Sequence, residues 1–237
     1  MEYPDFRKII ATKAAPSERM LIDIRKGDIK PHYSSLTDYL DSVVNYSVEG
    51  MRAIDKLVER FHLGAVSLMM EDHYGAVVPR INRNGRIVGG CVLCLSTQTG
   101  AILRKDPLTD HLTHWYCFDY LTDNDVFFGE HLLSNKPIAV VVEEKTALLG
   151  SLAEPTIDWL ATGDDYHLTN AMLNRLAGRR VILFPDDVCH DYWKEHFGSR
   201  FKVDDGFVNE DIKTYLVDRI RSTGGGWRMV RTNRASP

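Results

Sequence analysis

Three short apolar runs in the second half of the chain limit its fold more than any other feature. Ile138-Ala139-Val140-Val141-Val142 has no polar interruption, the pattern of a strand buried on both faces. Ile157-Asp158-Trp159-Leu160-Ala161 reads as a second short strand and ends in a Thr162-Gly163 turn. Val181-Ile182-Leu183-Phe184 reads as a third and runs into Pro185-Asp186-Asp187. Helical segments separate and follow these runs. They begin at Glu143, span Leu168 to Leu176 and Asp191 to Phe197, and end with Asp211 to Ile220. Buried strands alternating with helices predict an α/β fold, a parallel sheet with helices on both faces.

The first half has a different pattern. A short helix and a strand are expected within residues 1–30, around Phe6-Arg7-Lys8-Ile9-Ile10 and Met20-Leu21-Ile22. Ser35 or Thr37 then caps an amphipathic helix carrying Leu36, Tyr39, Leu40 and Val43 at helical spacing. Met51, Ile54, Leu57, Val58 and Phe61 repeat that spacing, with Arg52, Asp55, Lys56 and Glu59 opposite. The two helices part near Asn45-Tyr46-Ser47, and Gly64 is expected to close the second. Asn84-Gly85 between Ala76–Ile81 and Ile87–Leu95 is a hairpin signal, and Gly89-Gly90 suggests a bulge. A further turn before Ala101-Ile102-Leu103 completes a small meander. Phe127 to Leu133 reads as a short helix. The expected organisation is an N-terminal helical and β-meander region over 1–113, an α/β unit over 114–222, and a flexible basic tail over 223–237 with Arg228, Arg231 and Arg234.

Composition narrows the function classes. Hydrophobic residues make up 44% and charged residues 26% of the 237, which suits a globular core. No stretch approaches the roughly 20 apolar residues of a membrane span. The opening Met1-Glu2-Tyr3-Pro4-Asp5 has no apolar secretory segment, so a cytoplasmic location without a membrane partner is expected. The net charge is −4, so any polyanion contact must be local. Four cysteines are too few for a disulfide scaffold in a chain of this length. Cys91 and Cys94 lie in an apolar strand and, three apart, face opposite sides. No second cysteine or histidine pair completes a zinc site, so buried thiols are expected.

The acids at the strand ends carry the chemical signal. Glu143 and Glu144 follow the first strand, and Asp186 and Asp187 end the third. Ligands of such sheets collect at the carboxyl ends of strands, and Mg²⁺ sites for phosphoryl chemistry need two or three converging carboxylates. Lys145, at the helix start, is placed to meet a phosphate. The structural alternative is that Glu143 and Glu144 begin a helix at the favourable end of its dipole. Asp186 and Asp187 would then end a strand in solvent, and Lys145 would be a solvated helix lysine. Spacing alone does not choose between these readings.

Two of these segments resemble a known domain. Pro137-Ile138-Ala139-Val140-Val141-Val142-Glu143-Glu144-Lys145-Thr146-Ala147 is similar to the first Toprim motif of primase-like proteins, an apolar strand followed by E-G-E-K-T-A or E-S-E-K-T-A. Val181 to Asp187 is similar to the second, an apolar strand followed by D-x-D. Phe128-Gly129-Glu130-His131-Leu132-Leu133, Trp159-Leu160-Ala161-Thr162-Gly163, Leu183-Phe184-Pro185-Asp186 and Trp193 resemble a bacterial family of Toprim-like, primase-related proteins linked to mobile elements. Phe61-His62-Leu63-Gly64, Asn84-Gly85-Arg86-Ile87 and Thr99-Gly100 extend the resemblance upstream, so that it spans roughly residues 40–200. The chain would be a divergent member. It lacks the cysteine-paired zinc module such proteins often carry, having no cysteine before Cys91.

The resemblance implies a Toprim-like sheet and a role in replication or mobilisation of DNA. An intact site would use Mg²⁺ to transfer nucleotides or cleave phosphodiesters. Glu144 and Asp186 match motif acids and are the candidate metal ligands; Glu143, Glu144, Asp186 and Asp187 are the candidate catalytic set. Val142 stands where the first glutamate belongs and Val188 where the second aspartate belongs. Glu143 can replace the missing acid only after a one-residue shift, which reverses the facing of a side chain in a strand. The departures favour a degenerate module with weak or absent Mg²⁺, binding single-stranded DNA or RNA or a replication protein without full catalytic capacity. The alternatives are a Mg²⁺-dependent primase-like nucleotidyltransferase or nuclease, and an interaction protein with no nucleic-acid role.

Other residues carry weaker signals. His111 and His114, with Asp110 adjacent, find no third metal ligand in the sequence pattern and read as a loop. Cys189-His190 forms a nucleophile pair only if the two side chains converge, which sequence neighbours rarely do. Arg179-Arg180 and the tail arginines can track a nucleic-acid backbone or simply be solvated. Trp115, Tyr116 and Phe118 can stack on bases, although their apolar context favours core packing.

Overall fold

A computed structural model describes residues 34–67, 74–85, 87–103, 125–163, 165–207 and 211–222. The elements expected within 1–30, the His111/His114 and Trp115/Tyr116/Phe118 segment, and the tail lie outside these residues.

Helix α1 (Ser35–Val43) starts from Ser34, one residue earlier than the caps expected from sequence. Ser34 Oγ accepts from Thr37 N at 3.2 Å, and Ser34 N donates to Thr37 Oγ1 at 2.9 Å. This reciprocal pair satisfies two otherwise orphaned donors. Asn45 and Tyr46 adopt left-handed conformations and turn the chain into α2 (Val48–Phe61). His62, not Gly64, closes α2 in the left-handed region, at φ 53. Histidine tolerates that conformation better than branched residues do, and Gly64 is thereby free to open β1 (Gly64–Ser67).

Strands β1, β2 (Tyr74–Ile81) and β3 (Ile87–Leu93) form an antiparallel sheet in that order. The hairpin forms around Asn84-Gly85 with Gly85 at φ 73, but Asn84 is not left-handed and residues 82–86 separate the last ladder pair, Ile81 and Ile87, so the connection is longer than the two-residue turn that Asn-Gly favours. The register slip lies at Val88. Arg80 pairs with Gly89 and Ile81 with Ile87, so the extra residue precedes the Gly89-Gly90 pair rather than falling on it. A bridge from Leu95 to Ile102 extends the meander. The segment around Phe128 forms only a 3₁₀ turn, Glu130–Leu132.

The second sheet is parallel throughout, in the order β5-β4-β6-β7. Its strands are β4 (Ile138–Val141), β5 (Asp158–Ala161), β6 (Val181–Phe184) and the two-residue β7 (Lys202–Val203). Helices α3 (Glu144–Ala153), α4 (Asn170–Asn174), α5 (His190–Phe197) and α6 (Ile212–Ser222) complete it. Alternate residues of each strand enter different cores. Ala139, Val141, Trp159, Ala161 and Phe184 pack with α3 and α6, and with α1, α2, β2 and β3. Ile138, Val140, Val142, Leu160, Val181 and Leu183 pack with Met172, Leu173, Trp193 and Phe197 of α4 and α5. The protein is thus α/β, with helices on both faces of a parallel sheet. Among the described residues no helix is long and apolar enough to cross a membrane.

Candidate functional site

The carboxyl ends of β4 and β6 are adjacent, because Val141 pairs with Phe184. The chain therefore delivers Glu143 and Asp186 to one edge of the sheet. Glu143 is the N-cap residue of α3, with extended backbone and no side-chain cap hydrogen bond. Its half-buried carboxylate lies 3.4 Å from Lys145 Nζ and 3.5 Å from Lys213 Nζ. Lys213 comes from the first turn of α6 and lies 3.8 Å from Asp211. Burial alone would lower its pKa, but Glu143, Asp211 and Asp186 outweigh that and raise it.

Asp186 is the perturbed acid of the group. Burial pushes its carboxyl up to about 6; Lys213 opposes the shift, while Glu143, Asp165 and Asp211 add to it. A cleft of about 300 Å³ opens here, lined by Pro185, Asp186, Asp187, Phe207, Asp211, Ile212 and Lys213. Asp187 is exposed, and its Oδ1 accepts from Val188 N at 2.9 Å.

Glu144 is held apart from this cleft. It is buried in the first turn of α3, 3.6 Å from Arg80 Nη2. Arg80 reaches over from β2 and also donates to the Thr162 carbonyl at 2.6 Å. Gly163, at φ 83, lets both groups approach: a Cβ there would sit 2.0 Å from Arg80 Nη2 and 2.5 Å from Glu144 Oε1. Lys145 is buried too, and its ammonium donates to the Gly100 carbonyl at 2.6 Å. It ties the meander to the start of α3.

Val142 and Val188, singled out by the motif resemblance, have separate fates. Val142 is 3% exposed and belongs to the core under α4 and α5. Glu143 meets Lys213 of α6, which packs on the opposite face with α3. One step along the chain therefore reverses the facing, although both residues lie beyond the end of β4 at Val141. Val188 is 62% exposed on the turn into α5.

A divalent cation needs several oxygen ligands facing one point. Among the described residues, no group of three His, Cys, Asp or Glu side chains does so. Glu143 and Glu144 instead face the cationic groups of Lys145, Lys213 and Arg80. A metal ion here would have to displace ammonium and guanidinium groups already in place. These residues do not fit a resident Mg²⁺.

Lys213, Asp211, Arg80 and Phe207 are the site residues that sequence reasoning missed. Lys213 carries no motif and lies far along the chain from Glu143. The remaining weak candidates separate. Cys189 is buried, its thiol pushed up to about 12 mainly by burial. His190 faces Asp191 at 3.0 Å and Asp205 at 2.9 Å rather than Cys189. Cys91 and Cys94 are not disulfide-bonded, and the Cys91 thiol lies 4.0 Å from Glu144 Oε1. Arg179 donates to the carbonyls of Ser134 and Lys136, at the amino end of the sheet.

The arrangement defines an α/β protein whose parallel sheet carries, at its carboxyl edge, acids neutralised by cations from other elements. The chain belongs to the family described as Domain of unknown function (DUF6371), which matches residues 34–187. Comparison with curated proteins returned no match. Among solved structures, the chain is similar to the primase fragment of the bacteriophage T7 primase-helicase protein, at 14% identity and a TM-score of 0.47, over 73% of this chain and 70% of that one. It is also similar to the Aquifex aeolicus primase (zinc-binding and RNA polymerase domains), at 15% identity and a TM-score of 0.40, over 80% and 62%. The E. coli primase catalytic core aligns at 14% identity and a TM-score of 0.44, over 79% and 76%.

Proposed function

We propose that this chain is a degenerate Toprim-like, primase-related module that binds single-stranded nucleic acid without full catalytic capacity, in replication or mobilisation of DNA. One observation carries the reading. The Lys213 ammonium lies 3.5 Å from the acid that follows β4, and it lines one cleft with Asp186 at the end of β6. In a working metal site, a divalent cation rather than an ammonium faces the strand-end carboxylates. A fixed ammonium neutralises the acids but offers no exchangeable coordination position, so it cannot bring a phosphoryl oxygen and a leaving group to one metal. The acids become part of the scaffold, and binding passes to other surfaces. The resemblance of Pro137–Ala147 and Val181–Asp187 to the two Toprim motifs supports the same assignment.

Two measurements test the proposal. Calorimetric titration with Mn²⁺ should give no binding heat at millimolar metal, and Asp186→Asn should behave as the parent does. Retention of a labelled single-stranded oligonucleotide at low salt should be positive. Metal binding abolished by Asp186→Asn would restore the reading of a Mg²⁺-dependent nucleotidyltransferase or nuclease. Failure to retain the oligonucleotide would leave a protein-interaction module instead.

A further inference from the structure

The two ends of the parallel sheet differ in charge. Acids collect at its carboxyl end, where Glu143 follows β4, Asp186 and Asp187 follow β6, and Asp204 and Asp205 follow β7. Cations collect at its amino end. Lys136 lies two residues before β4, Arg179 and Arg180 run directly into β6, and Arg200 lies two residues before Lys202, which opens β7. The pairs Ile138–Val181 and Ile182–Lys202 set these strand starts side by side, with β6 in the middle. Ile138 N donates to the Arg180 carbonyl at 2.8 Å, and Arg179 donates to the Lys136 carbonyl at 2.9 Å. The Arg179-Arg180 pair, visible in the sequence, is joined to Arg200 and Lys202 only by this pairing.

The cations keep their charge. Lys136, Arg180, Arg200 and Lys202 are exposed, and among the described residues none of the four forms an ion pair. Arg200 is held by neutral groups. Its Nη1 and Nη2 donate to Asn170 Oδ1 at 3.0 Å and Asn174 Oδ1 at 2.7 Å, and it lies 5.3 Å over the Phe201 ring. The Lys136 ammonium donates to the Pro155 carbonyl at 2.8 Å. Of the acids at this end, Asp158 is buried and faces Arg179 at 3.9 Å, and Glu154 is taken by Arg219. Helices α3, α4 and α5 end on this side, each with about half a negative charge. Those ends, Asp158 and the exposed Glu195 of α5 offset about 3.5 of the five charges from Lys136, Arg179, Arg180, Arg200 and Lys202. The edge stays positive, in a chain whose net charge is −4.

We infer that Lys136, Arg180, Arg200 and Lys202 form a track for the backbone phosphates of single-stranded nucleic acid, at the end of the sheet opposite the acids. The cations stand in a row across three adjacent strands, about 10 Å wide. A row matches a chain of spaced charges, whereas a compact anion needs cations converging on one point. A membrane surface fits less well, because binding there also needs an apolar face to insert. The exposed large apolar residues of this half lie elsewhere: Tyr166 and Val188 follow the carboxyl ends of β5 and β6, and Tyr215 is in α6. Without exposed rings the track holds charge and not bases, which makes binding independent of sequence and dependent on salt. The inference rests on the nucleic-acid reading above and assigns its surface.

Fluorescence anisotropy of a labelled oligothymidylate, titrated with the full chain at several salt concentrations, tests it. The double variant Arg180→Gln, Lys202→Gln should lower the slope of log affinity against log salt by about 1.4, the loss of two single-strand phosphate contacts. Arg180→Lys, which keeps the charge, should keep the slope. The double variant Arg52→Gln, Lys56→Gln, on the exposed side of α2, should bind like the parent. Circular dichroism checks that the variants are folded. Lys202→Gln alone, with a slope change of about 0.7, serves if the double variant is not. If the parent binds and the amino-edge variants keep its slope, the track is wrong and the nucleic-acid reading stands. An equal loss in the α2 variant also overturns the track, since a cation anywhere on the surface would then serve. Displacement of the oligonucleotide by polyglutamate at equal charge would make the partner an acidic protein and overturn the nucleic-acid occupant. If the parent itself does not bind, the nucleic-acid reading fails and the track with it.

Discussion

The Lys213 ammonium of α6 lies 3.5 Å from the Glu143 carboxylate at the N-cap of α3. These two residues join the last described helix to the end of the central strand. They also decide what the carboxyl edge of the sheet can hold. Lys213→Met should cost about 1–2 kcal/mol of stability, because Glu143, Asp186 and Asp211 are left without their shared cation. The same variant should bind Mn²⁺ in calorimetry where the parent does not. Urea unfolding and metal titration of the two proteins check both statements, and an unchanged unfolding midpoint would sink the first.

Asp186 makes stability depend on pH in a definite direction. Its folded carboxyl sits at about 6 against an ordinary value of 3.8. The folded state therefore holds the proton more tightly than the unfolded chain does. The contribution of this group falls as pH rises from about 4 to about 6, and the penalty is complete above that window. Asp186→Asn cannot titrate. It should match the parent near pH 4 and exceed it by about 1 kcal/mol at pH 8, a figure discounted for solvent screening at a partly exposed group. Denaturant midpoints at the two pH values measure the difference.

Gly163 combines a positive φ with the convergence of Arg80 and Glu144 upon it. Gly163→Ala should cost about 1–3 kcal/mol, from left-handed strain and from displacing the ion pair. Arg80→Ala should couple with it. The double variant should lose less than the sum of the single losses, because both remove the same contact. Strict additivity in thermal melts would argue against this origin.

Cys94 and Cys189 are buried, with thiols pushed up to about 11 and about 12, in each case chiefly by burial. The reactive thiolate is scarce in both at pH 8. Alkylation of the native protein, mapped by mass spectrometry, should leave these two positions at least about a hundredfold slower than in urea. Native rates equal to unfolded rates would contradict the burial.

Much of the parallel sheet was legible because its strands are continuous apolar runs. Strands of two or four residues without such a run were not: β1 and β7 carry no periodic signal of their own, and their pairing partners define them. The Asn84-Gly85 hairpin was legible because turn chemistry is local. The end of α2 was not, since His62 rather than the nearby glycine takes the left-handed position. The question left by Val142 and Glu143 was whether a shift of one residue keeps the acid on the same side. Just beyond the end of β4, Val142 enters one core and Glu143 meets α6 on the other side.

The sequence by itself determined the α/β class, the three long-recognisable strands of the parallel sheet, and the arrival of Glu143 and Asp186 at strand ends. Backbone period and burial are written in neighbouring residues, so these could be read. The tertiary structure decided what those acids face. Lys213 and Arg80 come from elements far along the chain from the acids they meet, and no local pattern joins them to those acids. Charge partners are set by convergence in space, which depends on how the whole chain packs.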